Sequence, residues 1–348
     1  MRVATYNVEW FHAVFDPPGN LLRDGAPSAR EGVTRAEQID ALTTVFRAID
    51  ADAILVVEAP DISPRHDGIA AIANFAAAAG IRARAPLAGF PNETQQELTL
   101  LYDPDVIAAR HDPLGPVAGK HGRSPSGVAA PRFDTSFRID LDIDATEDVV
   151  TFSKPPLEVA LSTPLGDIRF IGCHVKSKVP HGAENAAEAM TIAIANRRKQ
   201  LAQCIWLRRR IEEHLSAGDR LILAGDLNDG PGLDEYEHLF GRSGVEIVAG
   251  TDALPEARLF DPHAGRALQS RVAAQPTTAR FFIASENRWL SALLDYVMVS
   301  PNLRPCARRW RIWHPFDDRD CLEDAALHRA LLMASDHFPV TLDLAAED

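Results

Sequence analysis

Short apolar runs alternate with amphipathic segments from one end of the chain to the other. Val3, Tyr6 and Val8 mark a β-type run at the start. Residues 34–50 place Ile39, Leu42, Val45, Phe46 and Ile49 on one helical face, and Thr34 with Glu37 supplies a capping box. Residues 53–58 (AILVVE) form an unbroken apolar run of strand length, which predicts a buried strand. Residues 68–80 predict an alanine-rich helix closed by Gly80. Alternation between turn residues predicts strands over 97–103, 132–143, 156–163 and 167–175. A long helix follows over 184–216, closed by Gly218, and strands at 220–226, 293–300 and 338–344 complete the series. The segments 104–131 and 250–290 are rich in Gly, Pro and charge and read as long loops. Helices and strands interleave without a repeat or linker, which predicts one α/β domain over residues 1–348 with those two insertions.

Composition narrows the function classes. The chain has 348 residues, 46% of them hydrophobic, enough for a sizeable core. Its net charge of −13 argues against a grip on duplex DNA by phosphate neutralisation alone. The basic stretches at 197–200 (RRKQ) and 208–210 (RRR) read as a solvated helix face beside Glu212 and Glu213 rather than a nucleic-acid patch. Cys173, Cys204, Cys306 and Cys321 are scattered with no C-x-x-C pair, which argues against a zinc knuckle or disulfide framework and predicts buried free thiols. The first residues, MRVATYNVEWF, lack the apolar core of a signal peptide, and no stretch of membrane-spanning length occurs, so a cytoplasmic location is expected.

Polar residues stand at the ends of the apolar strands. Asn7 and Glu9 follow the first run, Glu58 the second, His174 and Lys176 the strand at 167–175, and Asp226 and Asn228 the strand at 220–226. Asp295 precedes YVMVS, and Asp336 and His337 precede FPVTLDL. A lone strand-end Asp is more often a turn residue than a ligand. An ordered set is different, because strand ends in layered α/β proteins share a rim where ligands bind. Two carboxylates about 4 Å apart repel by roughly 4 kcal/mol at an effective dielectric near 20. Convergence of Glu58, Asp226, Asp295 and Asp336 therefore requires protonation or a bound cation. An oxygen-rich donor set without Cys favours Mg²⁺ or Mn²⁺ over Zn²⁺.

The ordered blocks TYNVE, VVE at 56–58, FSKPPLEV at 152–159, GCHVKS at 172–177, AGDLND at 224–229, LDYVMVS at 294–300 and SDHFPV at 335–340 resemble the endonuclease/exonuclease/phosphatase superfamily, the DNase I-like fold. The resemblance covers nearly the whole chain. It implies a four-layer α/β/β/α sandwich of two packed mixed sheets, a Mg²⁺ or Mn²⁺ cofactor and a phosphate-ester substrate. It also implies roles: Glu58, Asn7 and Asp336 about the metal, and His174, Asp226, Asn228, Asp295 and His337 in catalysis. Lys154 and Lys176 would bind substrate phosphate, and Glu9 occupies an often acidic position of less defined role. Lys154 stands where many relatives carry Arg, which loses bidentate geometry. Pro60 stands where pancreatic-type nucleases use Arg to read the minor groove, a second argument against duplex DNA.

The expected activity is metal-dependent hydrolysis of phosphodiesters by activated water, with nuclease as the leading subclass. A phosphomonoesterase, or a lipid-type phosphodiesterase of the inositol phosphatase or sphingomyelinase kind, uses the same blocks. An inactive binding module and a two-carboxylate glycosidase rank below these, since every core position is competent and a glycosidase has no use for Asn7, Asn228 or the Asp295–His337 pair. Aromatic residues in 280–289 suit either base stacking or sheet packing. Lys176, Lys178 and His181 suit either a phosphate lip or a solvated loop.

Overall fold

The computed structural model describes every residue except 93, 95, 117–129, 140–147, 181, 232–240, 270–273, 284–286 and 348. Its strands are β1 (Arg2–Asn7), β2 (Ala53–Pro60), β3 (Ala85–Ala88), β4 (Gln96–Tyr102), β5 (Ala108–His111), β6 (Phe137–Ile139), β7 (Asp148–Val150) and β8 (Leu157–Thr163). They continue with β9 (Gly166–His174), β10 (Leu221–Asp226), β11 (Ala279–Ile283), β12 (Arg288–Ala292), β13 (Asp295–Val299), β14 (Ala307–Ile312) and β15 (Val340–Leu344). The helices are α1 (Arg35–Ile49), α2 (Gly68–Ala79), α3 (Ala186–Ser216), α4 (Gly244–Ala249), α5 (Pro262–Gln269), α6 (Arg319–Glu323) and α7 (Ala325–Ala334).

Two mixed sheets form the centre. One has the order β14-β15-β1-β2-β4-β3 and the other β13-β10-β9-β8-β5. Strand alternation dictates three apolar layers. Along β2, Ala53, Leu55 and Val57 face the second sheet and meet Leu157, Phe170, Ile222 and Val297. Ile54 and Val56 face the other way, against Ile39, Leu42 and Phe46 of α1, Phe75 of α2 and Leu331 of α7. On the far side, Ile171, Leu223 and Tyr296 pack under Trp206 and Leu207 of α3 and Val245 of α4. The result is the four-layer sandwich.

Gly172 leaves room for the facing sheet: an added Cβ there would stand 2.6 Å from Leu55 Cδ1. The expected capping box of α1 is present, with Thr34 accepting from Glu37 N and the Glu37 carboxylate accepting from Thr34 N. The four cysteines are buried free thiols. None of the described helices is long and apolar enough to cross a membrane.

Several expectations are corrected. The strand expected over 132–143 begins as a turn, in which Thr135 N donates to Arg132 O and Arg132 pairs with Asp134. Extended structure starts at Phe137, and 140–143 lie outside the described residues. The expected loop 104–131 contains β5, and the expected loop 250–290 contains α5 and β11. These elements carry no continuous apolar stripe: β5 is an edge strand, and only Ala264 of α5 is buried. The edge strand β14 (ARRWRI) was hidden in the same way by its arginines.

The basic helix face is solvated only in part: Arg209 is exposed and Arg198 and Lys199 are partly buried, but three arginines turn inward. Arg197 and Arg210 are each 1% exposed and Arg208 is 7% exposed. Arg197 pairs with Asp229 at 2.7 Å, Arg210 with Glu158 at 3.1 Å, and Arg208 donates to Ala257 O at 2.6 Å. These guanidiniums tie α3 to the flanking loops and to β8, a use of Arg that charge counting along a helix does not reveal.

Candidate active site

The parallel pairs β1·β2 and β9·β10 bring their C-terminal ends to one rim. Asp226 closes β10 directly opposite His174 of β9 on one side and Asp295 of β13 on the other. Asn7, at the end of β1, crosses between the sheets and donates from Nδ2 to Asp226 Oδ2 at 3.1 Å. Ser335 Oγ donates to Asn7 O at 2.8 Å and so ties the Asp336–His337 turn to the same strand end.

Backbone strain is concentrated here. Glu9, Trp10, Glu58 and Asn228 all have positive φ, at 46°, 56°, 62° and 49°. Such conformations cost about 1–3 kcal/mol each for residues with a Cβ and persist where the surroundings enforce them. Glu58 is the extra residue of a β-bulge, lying between the pairs Val57↔Leu98 and Ala59↔Glu97. The bulge turns its carboxylate to the rim, where Oε2 accepts from Trp10 N at 3.0 Å and from Gln96 Nε2 at 2.6 Å.

The eleven residues singled out from sequence gather at this rim. His337 Nδ1 lies 2.8 Å from Asp295 Oδ2, and Asp336 Oδ1 lies 3.9 Å from His337 Nε2. His174 Nε2 lies 3.8 Å from Asp226 Oδ2 and 4.0 Å from Glu58 Oε1. Asn228 donates from its backbone N–H to Asp226 Oδ1 at 2.7 Å and from Nδ2 to Val175 O at 3.0 Å. Glu9 accepts from Asp336 N at 3.0 Å and pairs with Arg30. Lys154 donates to Gln96 and lies 3.1 Å from His174 Nδ1. Lys176 is half-buried and anchored through its backbone N–H to Gln203.

Charge states follow from this crowding. Burial, then the charge of Asp295, pushes the Asp226 carboxyl up to about 7. Burial works against a charged His337, but the carboxylates of Asp295, Asp226 and Asp336 outweigh it and hold its pKa well above the ordinary value. Burial, then the cations of Lys154, His337 and Lys176, holds His174 well below. Burial raises Asp336 and Glu9 as well.

A cation fits this donor set. Atoms of Asp226, Asp295 and His337 lie within 4.8 Å of one another, and the two carboxylates offer the oxygens a cation would take. Asp295 Oδ1 is buried and lacks a hydrogen-bond partner among the described residues, an acceptor left open. Sequence reasoning gave the metal to Glu58, Asn7 and Asp336, which border this tight group through the contacts above.

Gln96 and Arg30 were not foreseen. Gln96 stands one residue before the strand expected from 97, and an uncharged amide gives no chemical signal. Arg30 sits in an irregular segment and carries no signature at all. The aromatic alternative divides between two faces: Phe281 stacks edge-on to His337 at 5.5 Å, whereas Phe282 and Trp289 pair across the hairpin on the exposed face. Of the proposed lip, Lys178 is paired with Asp229 at 2.7 Å, and His181 lies outside the described residues.

The sequence profile described as "Endonuclease/Exonuclease/phosphatase family" matches residues 4–337. No curated protein matches the chain significantly by sequence. Among solved structures, truncated Caenorhabditis elegans TDP2 is 13% identical, with TM-score 0.51, covering 99% of this chain and 97% of its own. An AP endonuclease from Archaeoglobus fulgidus is 10% identical, with TM-score 0.50, covering 99% and 100%. The 3'-5' exonuclease NExo from Neisseria meningitidis is 14% identical, with TM-score 0.51, covering 99% and 100%. At these identities the likeness establishes the fold.

Proposed function

Because the chain belongs to the endonuclease/exonuclease/phosphatase family, whose enzymes hydrolyse phosphoester bonds, we propose that it is a divalent-metal-dependent phosphodiesterase acting on nucleic acid by direct attack of water. One observation carries the reading: two buried carboxylates and a carboxylate-paired imidazole converge within 4.8 Å, with Asp295 Oδ1 left open. Net charge of −13 and Pro60 at the end of β2 speak against duplex DNA.

Glu58 is the principal residue that would hold Mg²⁺ or Mn²⁺, with Asp226, Asp295 and Asn7 beside it and Asp336 adding negative charge. The bound cation supplies Lewis-acid neutralisation of the phosphoryl group and of the leaving oxygen. Asp226 and Asn228 orient the attacking water: the Asn228 amide nitrogen is held by Val175 O, which leaves its oxygen to accept. Asp226, whose Oδ1 accepts from the Asn228 backbone, takes the water proton. Asp295 fixes His337 through Nδ1, so the charged ring presents Nε2–H to the developing oxyanion. No covalent enzyme intermediate is involved.

The test is an assay of bis-p-nitrophenyl phosphate and p-nitrophenyl phosphate with Mg²⁺, Mn²⁺ or EDTA. Diester turnover that EDTA abolishes is expected. A monoester preference would move the chain to the phosphatase branch, and silence with every metal and ester would point to a binding module.

A further inference from the structure

An ionised Glu58 carboxylate can only accept hydrogen bonds. The Gln96 atom 2.6 Å from Glu58 Oε2 is therefore the amide nitrogen. That orientation turns Gln96 Oε1 toward Lys154, whose ammonium donates to it. An ammonium has three N–H donors and no lone pair. The same Nζ lies 3.1 Å from His174 Nδ1, so that ring nitrogen must be the acceptor. An imidazolium is disfavoured there, since it would aim Nδ1–H at an ammonium. The single proton of the neutral ring then lies on Nε2, the atom that faces Asp226 and Glu58 at 3.8 and 4.0 Å.

We propose that Lys154 is a positioning residue that locks His174 in the Nε2–H tautomer, making His174 a neutral hydrogen-bond donor to a substrate phosphate oxygen. Lys154 thus acts through the imidazole, not on the phosphate, which replaces the direct contact assigned to it from sequence. Its ammonium is already engaged by Gln96 and His174 inside a pocket that also holds Glu58. The two histidines of the site are thereby divided. His337, gripped by a carboxylate at Nδ1, is the charged donor. His174, with a cation at Nδ1, is the neutral donor through Nε2–H. The donor role rests on the phosphoesterase reading; the tautomer does not.

Long-range ¹H–¹⁵N correlation on the full chain, with ¹⁵N-labelled histidine, without metal and near neutral pH, reads the tautomer directly. His174 is identified by comparison with a His174→Gln variant. The wild-type protein is expected to show a protonated Nε2 and an unprotonated Nδ1. Lys154→Met should shift His174 to a mixture of tautomers and lower kcat on bis-p-nitrophenyl phosphate about 10–100-fold, the usual cost of losing a group that orients a site residue. Lys154→Arg, which keeps a donor, should restore the Nε2–H pattern and most of the rate. A protonated Nδ1 in the wild-type protein overturns the proposal without recourse to any variant. So does an unchanged Nε2–H pattern in Lys154→Met, which would show that Lys154 does not set it. If the expected pattern is found but the wild type hydrolyses no phosphate ester with any metal, the phosphoesterase reading and the donor role fall while the tautomer lock stands.

Discussion

His174 and His337 both face Asp226, yet their surroundings drive them to opposite charge states. A carboxylate at Nδ1 holds His337 protonated, and burial with an ammonium at Nδ1 holds His174 neutral. Residue identity alone does not distinguish two strand-end histidines; the partner on the second ring nitrogen does. Removing the charged one should be the more costly change. His337→Ala is expected to lower kcat on a phosphodiester by about 10²–10³-fold, the span typical of a lost oxyanion donor. Its circular dichroism should match wild type, since His337 lies at the rim and not in an apolar layer. A variant that keeps wild-type rates would remove the Asp295–His337 pair from the mechanism. The same scale shows why Gln96 went unseen. Its importance lies in relaying a donor–acceptor order between Glu58 and Lys154, residues 38 and 58 positions away in the chain, and nothing local marks it.

Elements deliver these side chains only if the strands approach closely enough, and two glycines govern that approach differently. Gly225 precedes Asp226 in β10 with φ 135°, and a Cβ there would stand 2.0 Å from Cys173 O on the neighbouring strand. A backbone carbonyl held in a ladder cannot move aside. Gly172 faces the other sheet, where a Cβ would meet Leu55 Cδ1 at 2.6 Å, the free end of a side chain. Gly172→Ala should therefore cost about 1–3 kcal/mol, as overpacked cores do. Gly225→Ala should cost more, above ~3 kcal/mol, and abolish activity by displacing Asp226. Urea unfolding of both variants checks the order, and equal losses would contradict it. At this scale the buried elements were legible, because β2, β9, β10 and α1 carry unbroken or regularly spaced apolar residues. The edge strands β5 and β14 and the short helix α5 were not. Half-exposed elements owe their form to neighbours rather than to their own pattern.

Across the whole molecule, function is placed at the expense of the metal-free state. Burial pushes Glu97, at the start of β4 beside the site, up to about 7, and burial with the Asp295 charge does the same to Asp226. An acid whose pKa is raised by folding binds more protons folded than unfolded. Its stabilising contribution is complete below the ordinary carboxylate range and is lost as pH rises through the folded value. The melting temperature of the EDTA-treated protein should therefore fall as pH rises from about 4 to about 7, the window set by the unfolded and folded values of Glu97 and Asp226. Mg²⁺ or Mn²⁺ should raise the melting temperature and flatten that slope, because a cation favours the ionised carboxylates. Differential scanning calorimetry with and without metal decides it; a slope indifferent to metal would remove Asp226 from the cation site. The sequence by itself determined the interleaved helices and strands and the polar residues that end the strands, because apolar periodicity and strand-end chemistry are written locally, while the ordered blocks carried the family resemblance that implied the layers. Only the tertiary structure decided which atoms meet, that Arg197, Arg208 and Arg210 of α3 turn inward, and which nitrogen of each histidine carries the proton. Those depend on partners brought together from distant parts of the chain by the packing of two sheets.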